Sequence, residues 1–178
     1  INSIQICMRE VGILFDRGKI FLPQILMTSA GIESAMELIM PQLESDEVSA
    51  PKNKIVVIGT VEGDTHDIGK NICTVLLRIA GYEVHDMGRD VPATSFIKEI
   101  KNGAEYCGMS SLMTTTMMVL KDVIDNLQEN DIRNGVVVMV GGTPVTQAFA
   151  DKIGADIYSE TAFEMMKKIG NEESSGSH

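Results

Sequence analysis

Asp64 and His66 stand two residues apart in a polar stretch, Glu62-Gly63-Asp64-Thr65-His66-Asp67-Ile68-Gly69-Lys70-Asn71. At that spacing a carboxylate reaches back to one ring nitrogen and fixes the tautomer, while the other nitrogen faces outward. The pair has the geometry of a metal ligand with its orienting carboxylate, or of a general base. The same spacing also serves a loop histidine that only bonds backbone, and the motif alone does not decide between these readings. Imidazoles are otherwise scarce: of three histidines, His178 closes a Ser-Ser-Gly-Ser-His tail and His85 follows the strand-type alternation of Tyr82-Glu83-Val84-His85-Asp86, which reads as structural.

Two further stretches hold groups that a ligand could use. Ser110-Ser111-Leu112-Met113-Thr114-Thr115-Thr116 places five hydroxyls in seven positions, more than helix capping employs. Gly141-Gly142-Thr143-Pro144 lacks two Cβ atoms in a row, so a flat or bulky group could approach the backbone, as it could at Gly69.

The elements that must carry these stretches follow from periodicity. From Lys54 onward, short β-branched runs (Ile55–Gly59, Glu83–Met87, Tyr106–Ser110, Val136–Val140, Asp156–Tyr158) alternate with amphipathic segments. The helical segments fall near Lys70–Ala80, Thr94–Lys101, Thr115–Glu129, Val145–Lys152 and Ala162–Ile169. Five β/α units imply an α/β fold with a five-stranded parallel sheet covered on both faces, best fitted by a flavodoxin-like order 2-1-3-4-5. In such sheets ligands sit at the carboxyl ends of the strands beside the topological switch point. All three polar stretches follow strands at that edge. Upstream, residues 1–43 read as a partial helical cap: apolar positions at helical spacing end at Gly18, and a second helix opens at Pro23. Residues 44–53 read as a linker, 54–170 as the α/β domain and 171–178 as a disordered tail resembling a cloning scar. Two helices bury too little alone and must pack on the domain, a further segment, a ligand or a second copy.

Composition narrows the function classes. The chain has 178 residues, 44% hydrophobic, with 15 Lys+Arg against 25 Asp+Glu, a net charge of −10. That balance argues against nucleic acid and anionic membrane surfaces. No apolar run approaches the roughly 18 residues of a membrane span, so a soluble, cytoplasmic protein is expected. Three cysteines, widely spaced in apolar contexts, read as buried thiols rather than disulfides or a zinc site. The 12 methionines fit pliable core packing or a Met-lined ligand surface.

Taken in order, Asp64-x-His66-x-x-Gly69, 40 residues, Ser110-x-Leu112, 28 residues and Gly141-Gly142 closely resemble the cobalamin-binding signature of the B12-dependent methyltransferases and mutases. The first gap is one residue shorter than the family's usual one. Phe15-Asp16-Arg17-Gly18-Lys19-Ile20-Phe21-Leu22-Pro23-Gln24 is similar to the helical cap upstream of the cobalamin domain in methionine synthase and in the small corrinoid proteins of methylamine, methanol and methoxy-compound systems. Mutases lack that cap. Here it is half the size of the family's four-helix bundle.

The resemblance implies a Rossmann-like domain that binds cobalamin, methylcobalamin in the loaded state, with the nucleotide tail detached from cobalt and threaded into the protein. His66 would be the lower axial cobalt ligand, Asp64 would accept its other ring N–H, and Thr116 would stand where methionine synthases carry a serine completing the relay. Ser110, Leu112, Gly141 and Gly142, with Thr114 and Thr143, would line the channel for the tail, with Gly69 beside it. Phe15 and Leu22 would cover the upper face of the corrin. The implied function is a methyl carrier, cycling Co(I) and methyl-Co(III), between a substrate-specific methyltransferase and a second one passing the methyl to a folate or a thiol. A reductive activase and a homodimer through the incomplete cap are further implied partners, and donor recognition is expected on a separate subunit. A cobalamin-based sensor shares these domains but uses a DNA-binding domain and a Trp-containing cap motif, and this chain has no Trp. A phosphorelay receiver needs an Asp where Ser110 stands and a Lys where Ser159 stands. A flavodoxin needs a phosphate loop after strand 1, where Glu62 and Asp64 would repel it.

Overall fold

In the computed structural model, residues 54–175 are described continuously, and upstream of them 10–11, 13–15, 17–21, 23–25, 27–28, 30–31 and 34. Five strands, β1 (Ile55–Thr60), β2 (Glu83–Asp86), β3 (Tyr106–Ser110), β4 (Val137–Gly141) and β5 (Ile157–Ser159), form one parallel sheet in the order 2-1-3-4-5. This is the expected order. Five helices follow the strands in turn: α1 (Ile68–Ile79), α2 (Ala93–Lys101), α3 (Met117–Glu129), α4 (Gln147–Ile153) and α5 (Ala162–Ser175).

Strand alternation sorts the core into two layers. Val57, Cys107, Met109, Val138 and Val140 point to one face, under Phe96 and Ile97 of α2, Leu120 and Ile124 of α3, and Ala150 of α4. Val56, Ile58, Tyr106, Met139 and Ile157 point to the other, under Leu77 of α1 and Met165 and Ile169 of α5. Parallel strands covered on both faces are near-continuously apolar, and that is how β1, β3 and β4 read.

Several boundaries differ from the periodicity reading. β4 and β5 each lie one residue later than expected, ending at Gly141 and Ser159. α3 starts at Met117 rather than Thr115, because the Thr116 hydroxyl is engaged with Asp64 and makes no capping bond. α4 starts after Thr146, whose side chain accepts from Phe149 N at 3.2 Å. α5 runs on to Ser175, into the stretch read as a disordered tail from 171. In the N-terminal part, residues 10–11, 13–15 and several of 23–34 are helical, with Gly18 at φ +64° between them. Ile25 there is buried and Phe15 half-buried. The linker 44–53 and Leu22 lie outside the described residues.

Candidate functional site

Strand register lays out the floor of the site. Thr60, Ser110, Gly141 and Ser159 form one row across the carboxyl ends of β1, β3, β4 and β5, on the face shared with α1 and α5. The row beneath is Ile58, Gly108, Met139 and Ile157. Glycine at 108 and 141 removes two Cβ atoms from the middle of this floor, where Ser110 and Met139 stand beside them and the Ile58 side chain lies over Gly108. A cavity of about 410 Å³ opens above it, walled by Lys70 and Cys73 of α1 and by Ala162 and Met165 of α5. His66, Gly69, Leu112, Gly142 and Thr143 belong to its lining.

The loop after β1 is held from below by one buried carboxylate. Asp64 is fully buried. Its Oδ1 accepts from His66 N at 2.9 Å and lies 2.8 Å from His66 Nδ1. Its Oδ2 accepts from Leu112 N at 2.6 Å, Met113 N at 3.2 Å and the Thr116 hydroxyl at 3.1 Å. Burial pushes the Asp64 carboxyl up, but donors from His66, Leu112 and Thr116 outweigh it and bring the group down to about 2. Asp64 is therefore a carboxylate across the physiological range, and an ionised neighbour at Oδ1 favours the tautomer with the proton on Nδ1. The Thr60 hydroxyl donates to His66 O at 3.2 Å, so the backbone is tied as well. The His66 side chain is 50% exposed at the cavity mouth, and its Nε2 makes no hydrogen bond among the described residues.

The glycine pair serves partly a different purpose from the one its composition suggests. Gly142 has φ +127°, and a Cβ there would lie 1.8 Å from Ser111 O. Close packing of the loop after β4 on the loop after β3 thus demands glycine at 142 without any ligand. A Cβ on Gly69 meets nothing within 4 Å, so the fold itself places no such demand there.

Most of the residues singled out by the sequence converge here. Gly69, Ser110, Leu112, Gly141, Gly142 and Thr143 line the cavity beside His66, with Asp64 and Thr116 directly behind it. Thr114 does not converge: it is exposed and outside the lining, because the turn that sends Thr116 inward to Asp64 leaves 114 on the outer side. Phe15 is not among the lining residues either. Three contributors were missed. Ser111 is buried and its hydroxyl lies 2.8 Å from that of Thr116, extending the network by one residue. Lys70 is a buried lysine whose ammonium donates to Asp86 and Asn71, both at 2.6 Å. Ser159 closes the polar row on β5, and the rule that ligands gather at strand carboxyl ends would have found it.

A family model described as a B12 binding domain matches residues 54–167, the whole sheet, α1 to α4 and the first part of α5. The chain belongs to the B12-binding family of corrinoid proteins. A second B12 binding domain model matches residues 1–40. The dimethylamine corrinoid protein of Methanosarcina barkeri is 50% identical over 166 residues, covering 90% of this chain and 76% of that protein. Trimethylamine corrinoid protein 1 of Methanosarcina acetivorans is 44% identical over 163 residues, 91% of this chain and 76% of that one. Among solved structures, a cobalamin-binding protein from Desulfitobacterium hafniense superposes with a TM-score of 0.80 at 32% identity, over 92% of this chain and 77% of that one. A chain of the methanol:cobalamin methyltransferase complex of Methanosarcina barkeri gives a TM-score of 0.76 at 36% identity, over 99% and 66%.

The cofactor of this corrinoid protein is cobalamin, and the residues present fit it. An imidazole with a fixed tautomer stands at the mouth, where a cobalt could take its free Nε2. Behind it runs a cavity whose floor includes Gly108 and Gly141, large enough for a bulky organic tail. In the lining, the buried hydroxyl of Ser159 has no hydrogen-bond partner. A buried polar atom left unpaired within a cavity is what a missing polar ligand atom would leave behind.

Proposed function

We propose that this chain is a methyl carrier of a methylamine-type methyltransferase system, holding its cobamide with His66 as lower axial ligand. The observation that carries the reading is the arrangement of His66: Nδ1 is fixed by a buried, ionised Asp64, while Nε2 stands free at the mouth of the cavity. When bound, the cofactor supplies the group-transfer chemistry, its cobalt alternating between Co(I) and methyl-Co(III).

The chain's own residues bind, orient and shield. Asp64 sets the tautomer and orientation of the imidazole, and Thr116, backed by Ser111, positions the carboxylate. Ser110, Gly141, Gly142 and Thr143 admit the nucleotide tail over the cavity floor, with Leu112 at the rim and Gly69 at the helix entry. Phe15 and Leu22 shield the upper face from water, and the cap moves aside at each transfer. The names of the relatives support a methylated amine as the ultimate methyl donor, and a structural neighbour belonging to a methyltransferase complex supports a partner methyltransferase. A second methyltransferase passing the methyl to a folate or thiol, a reductive activase, a homodimer through the cap and a cytoplasmic location complete the reading. Among the described residues no helix is long and apolar enough to cross a membrane.

Reconstitution with hydroxocobalamin tests the ligand assignment. The wild-type chain should bind one equivalent with a histidine-ligated absorption spectrum, and the same spectrum from His66→Ala would overturn it. The carrier role is tested by reducing the loaded protein and adding a candidate methyltransferase with dimethylamine, trimethylamine or methanol. Methylation of the bound cofactor with one of these pairs is the expected result.

A further inference from the structure

The connection from β2 to α2 runs beside the loop that follows β1. Thr60 N donates to Gly88 O and Val91 N to Thr60 O, both at 3.0 Å, and Val61 forms a parallel bridge with Val91. Beyond that bridge lies the turn Val61-Glu62-Gly63-Asp64, closed by Asp64 N on Val61 O at 3.1 Å, with Gly63 at φ +81°. Asp90 grips this turn twice: its N–H donates to Asp64 O at 3.0 Å, and its Oδ1 accepts from Gly63 N at 2.7 Å. No other side chain bonds the main chain of 61–64 among the described residues. Asp90 does this from φ +57°, a left-handed conformation that aspartate tolerates better than most residues. On its other side the turn rests on Thr116, since a Cβ at Gly63 would lie 3.3 Å from Thr116 Cγ2. The turn that carries Asp64, and through it His66, is thus held between Asp90 and Thr116.

We infer that Asp90 is a positioning residue for His66: its carboxylate clamps the turn at Gly63 and so sets where the Asp64 carboxylate meets the imidazole. The inference rests on the reading of His66 as lower axial ligand. A non-glycine residue stays left-handed where its surroundings require it, and here the requirement is the pair of bonds to the turn. Asp90 is not part of the cavity lining, so it acts on a ligand only through this turn. Both Asp90 and Gly63 are exposed, and competition from water keeps the effect to that of one net hydrogen bond. Without the clamp Gly63 is free to move, the Asp64 carboxylate shifts with it, and the fixed Nδ1–H tautomer of His66 is lost in part.

Two substitutions at this position separate the side chain from the backbone. Asp90→Gly removes the acceptor but adopts φ +57° freely, so the chain stays folded; Asp90→Asn keeps both the acceptor and the tolerance of that conformation. The first readout uses the cofactor-free full chain, where the ring 15N shifts of His66 report the tautomer. Wild type and Asp90→Asn should show the proton on Nδ1, and Asp90→Gly a mixture of the two tautomers. The second is a titration with methylcobalamin followed by the histidine-ligated absorption. Asp90→Gly should bind about 3–10-fold more weakly, the range of one net hydrogen bond, and Asp90→Asn should recover most of that loss. A His66 tautomer and an affinity in Asp90→Gly equal to wild type would overturn the assignment, as would an asparagine variant no better than the glycine one. If the wild-type chain bound methylcobalamin without histidine ligation, the axial-ligand reading would fall, and the tautomer measurement would still decide the role of Asp90.

Discussion

The hydroxyl of Thr116 reaches Oδ2 of Asp64 at 3.1 Å, joining the loop after β3 to the loop after β1 across 52 residues of chain. The carboxylate holds His66 through its other oxygen, so Thr116 acts on the imidazole without touching it. Thr116→Val preserves shape and removes the donor, leaving a buried charge with one fewer bond. Loss of a hydrogen bond to a charged group destabilises by about 1.5–3 kcal/mol, readable as a lower urea midpoint with unchanged slope. Thr116→Ser keeps the hydroxyl and should recover most of that loss. Equal stability of the valine and serine variants would show that the bond contributes nothing.

Two glycines in the same site should respond in opposite ways to alanine. At Gly142 the new Cβ would stand 1.8 Å from Ser111 O at φ +127°, so Gly142→Ala should be destabilised severely, by 3 kcal/mol or more on the order of known strain and overpacking costs. At Gly69, in the first turn of α1, a Cβ meets nothing. Gly69→Ala should leave the cofactor-free protein as stable as wild type, or up to about 1 kcal/mol more so through helix propensity. If the ligand packs against that turn, the same variant should nonetheless lose cobalamin affinity. A melting curve and a cobalamin titration on each variant separate a glycine required by the fold from one required by the ligand.

His85 carries a pH-dependent contact away from the cavity. Hydrogen bonds to Glu99 at 2.7 Å and then to Glu83 at 3.2 Å raise it above its ordinary 6.5. A raised histidine stabilises the fold fully below 6.5, and that contribution disappears as pH rises through the folded-state value. With the imidazole 39% exposed, solvent screens the pair and the effect on stability is small. The direct readout is an NMR titration of the ring protons: a midpoint above 6.5 in wild type, brought down by Glu99→Gln. Cobalamin should leave this midpoint unchanged, since His85 is not part of the cavity lining.

The sheet order and the position of the site were legible because a parallel sheet buried on both faces writes uninterrupted apolar runs, and ligand loops follow its strands at one edge. The linkage of Asp64 to His66 and Thr116 was legible because the signature fixes their spacing. What stayed hidden depends on three-dimensional neighbours that spacing does not encode. Ser111 sits beside a motif serine and is indistinguishable from it in sequence, yet it faces Thr116 rather than the cavity. Gly142 looked like an opening for ligand; it does line the cavity, but the direction its Cβ would take is filled by Ser111 backbone, a demand that spacing does not reveal. Thr114 shares the hydroxyl-rich run and points away, since a turn of the chain separates positions that composition groups together.

Lys70 gives the last prediction. A cation in the first turn of a helix opposes the helix dipole, and this one is 2% exposed, so its retention depends on Asp86 at 2.6 Å and on Asn71. Burial pushes the Asp86 carboxyl up, but the lysine, with the Gly88 N–H and Arg78, outweighs it and holds the group below its ordinary 3.8. A depressed carboxyl contributes stability above 3.8, and that contribution is lost as pH falls through the folded-state value. Asp86→Ala strands a buried ammonium and should cost about 3–5 kcal/mol at neutral pH. Adding Lys70→Met removes the stranded charge, so the double variant should regain much of the loss. Urea unfolding of the two single variants and the double one gives the coupling directly. Additive losses would show that the two groups act independently. Because α1 begins where the His66 loop ends, the double variant also reports on the site. If the ion pair only compensates its own burial, cobalamin binding should survive in the double variant; if it fixes the entry of α1, histidine-ligated absorption should weaken even where stability has returned.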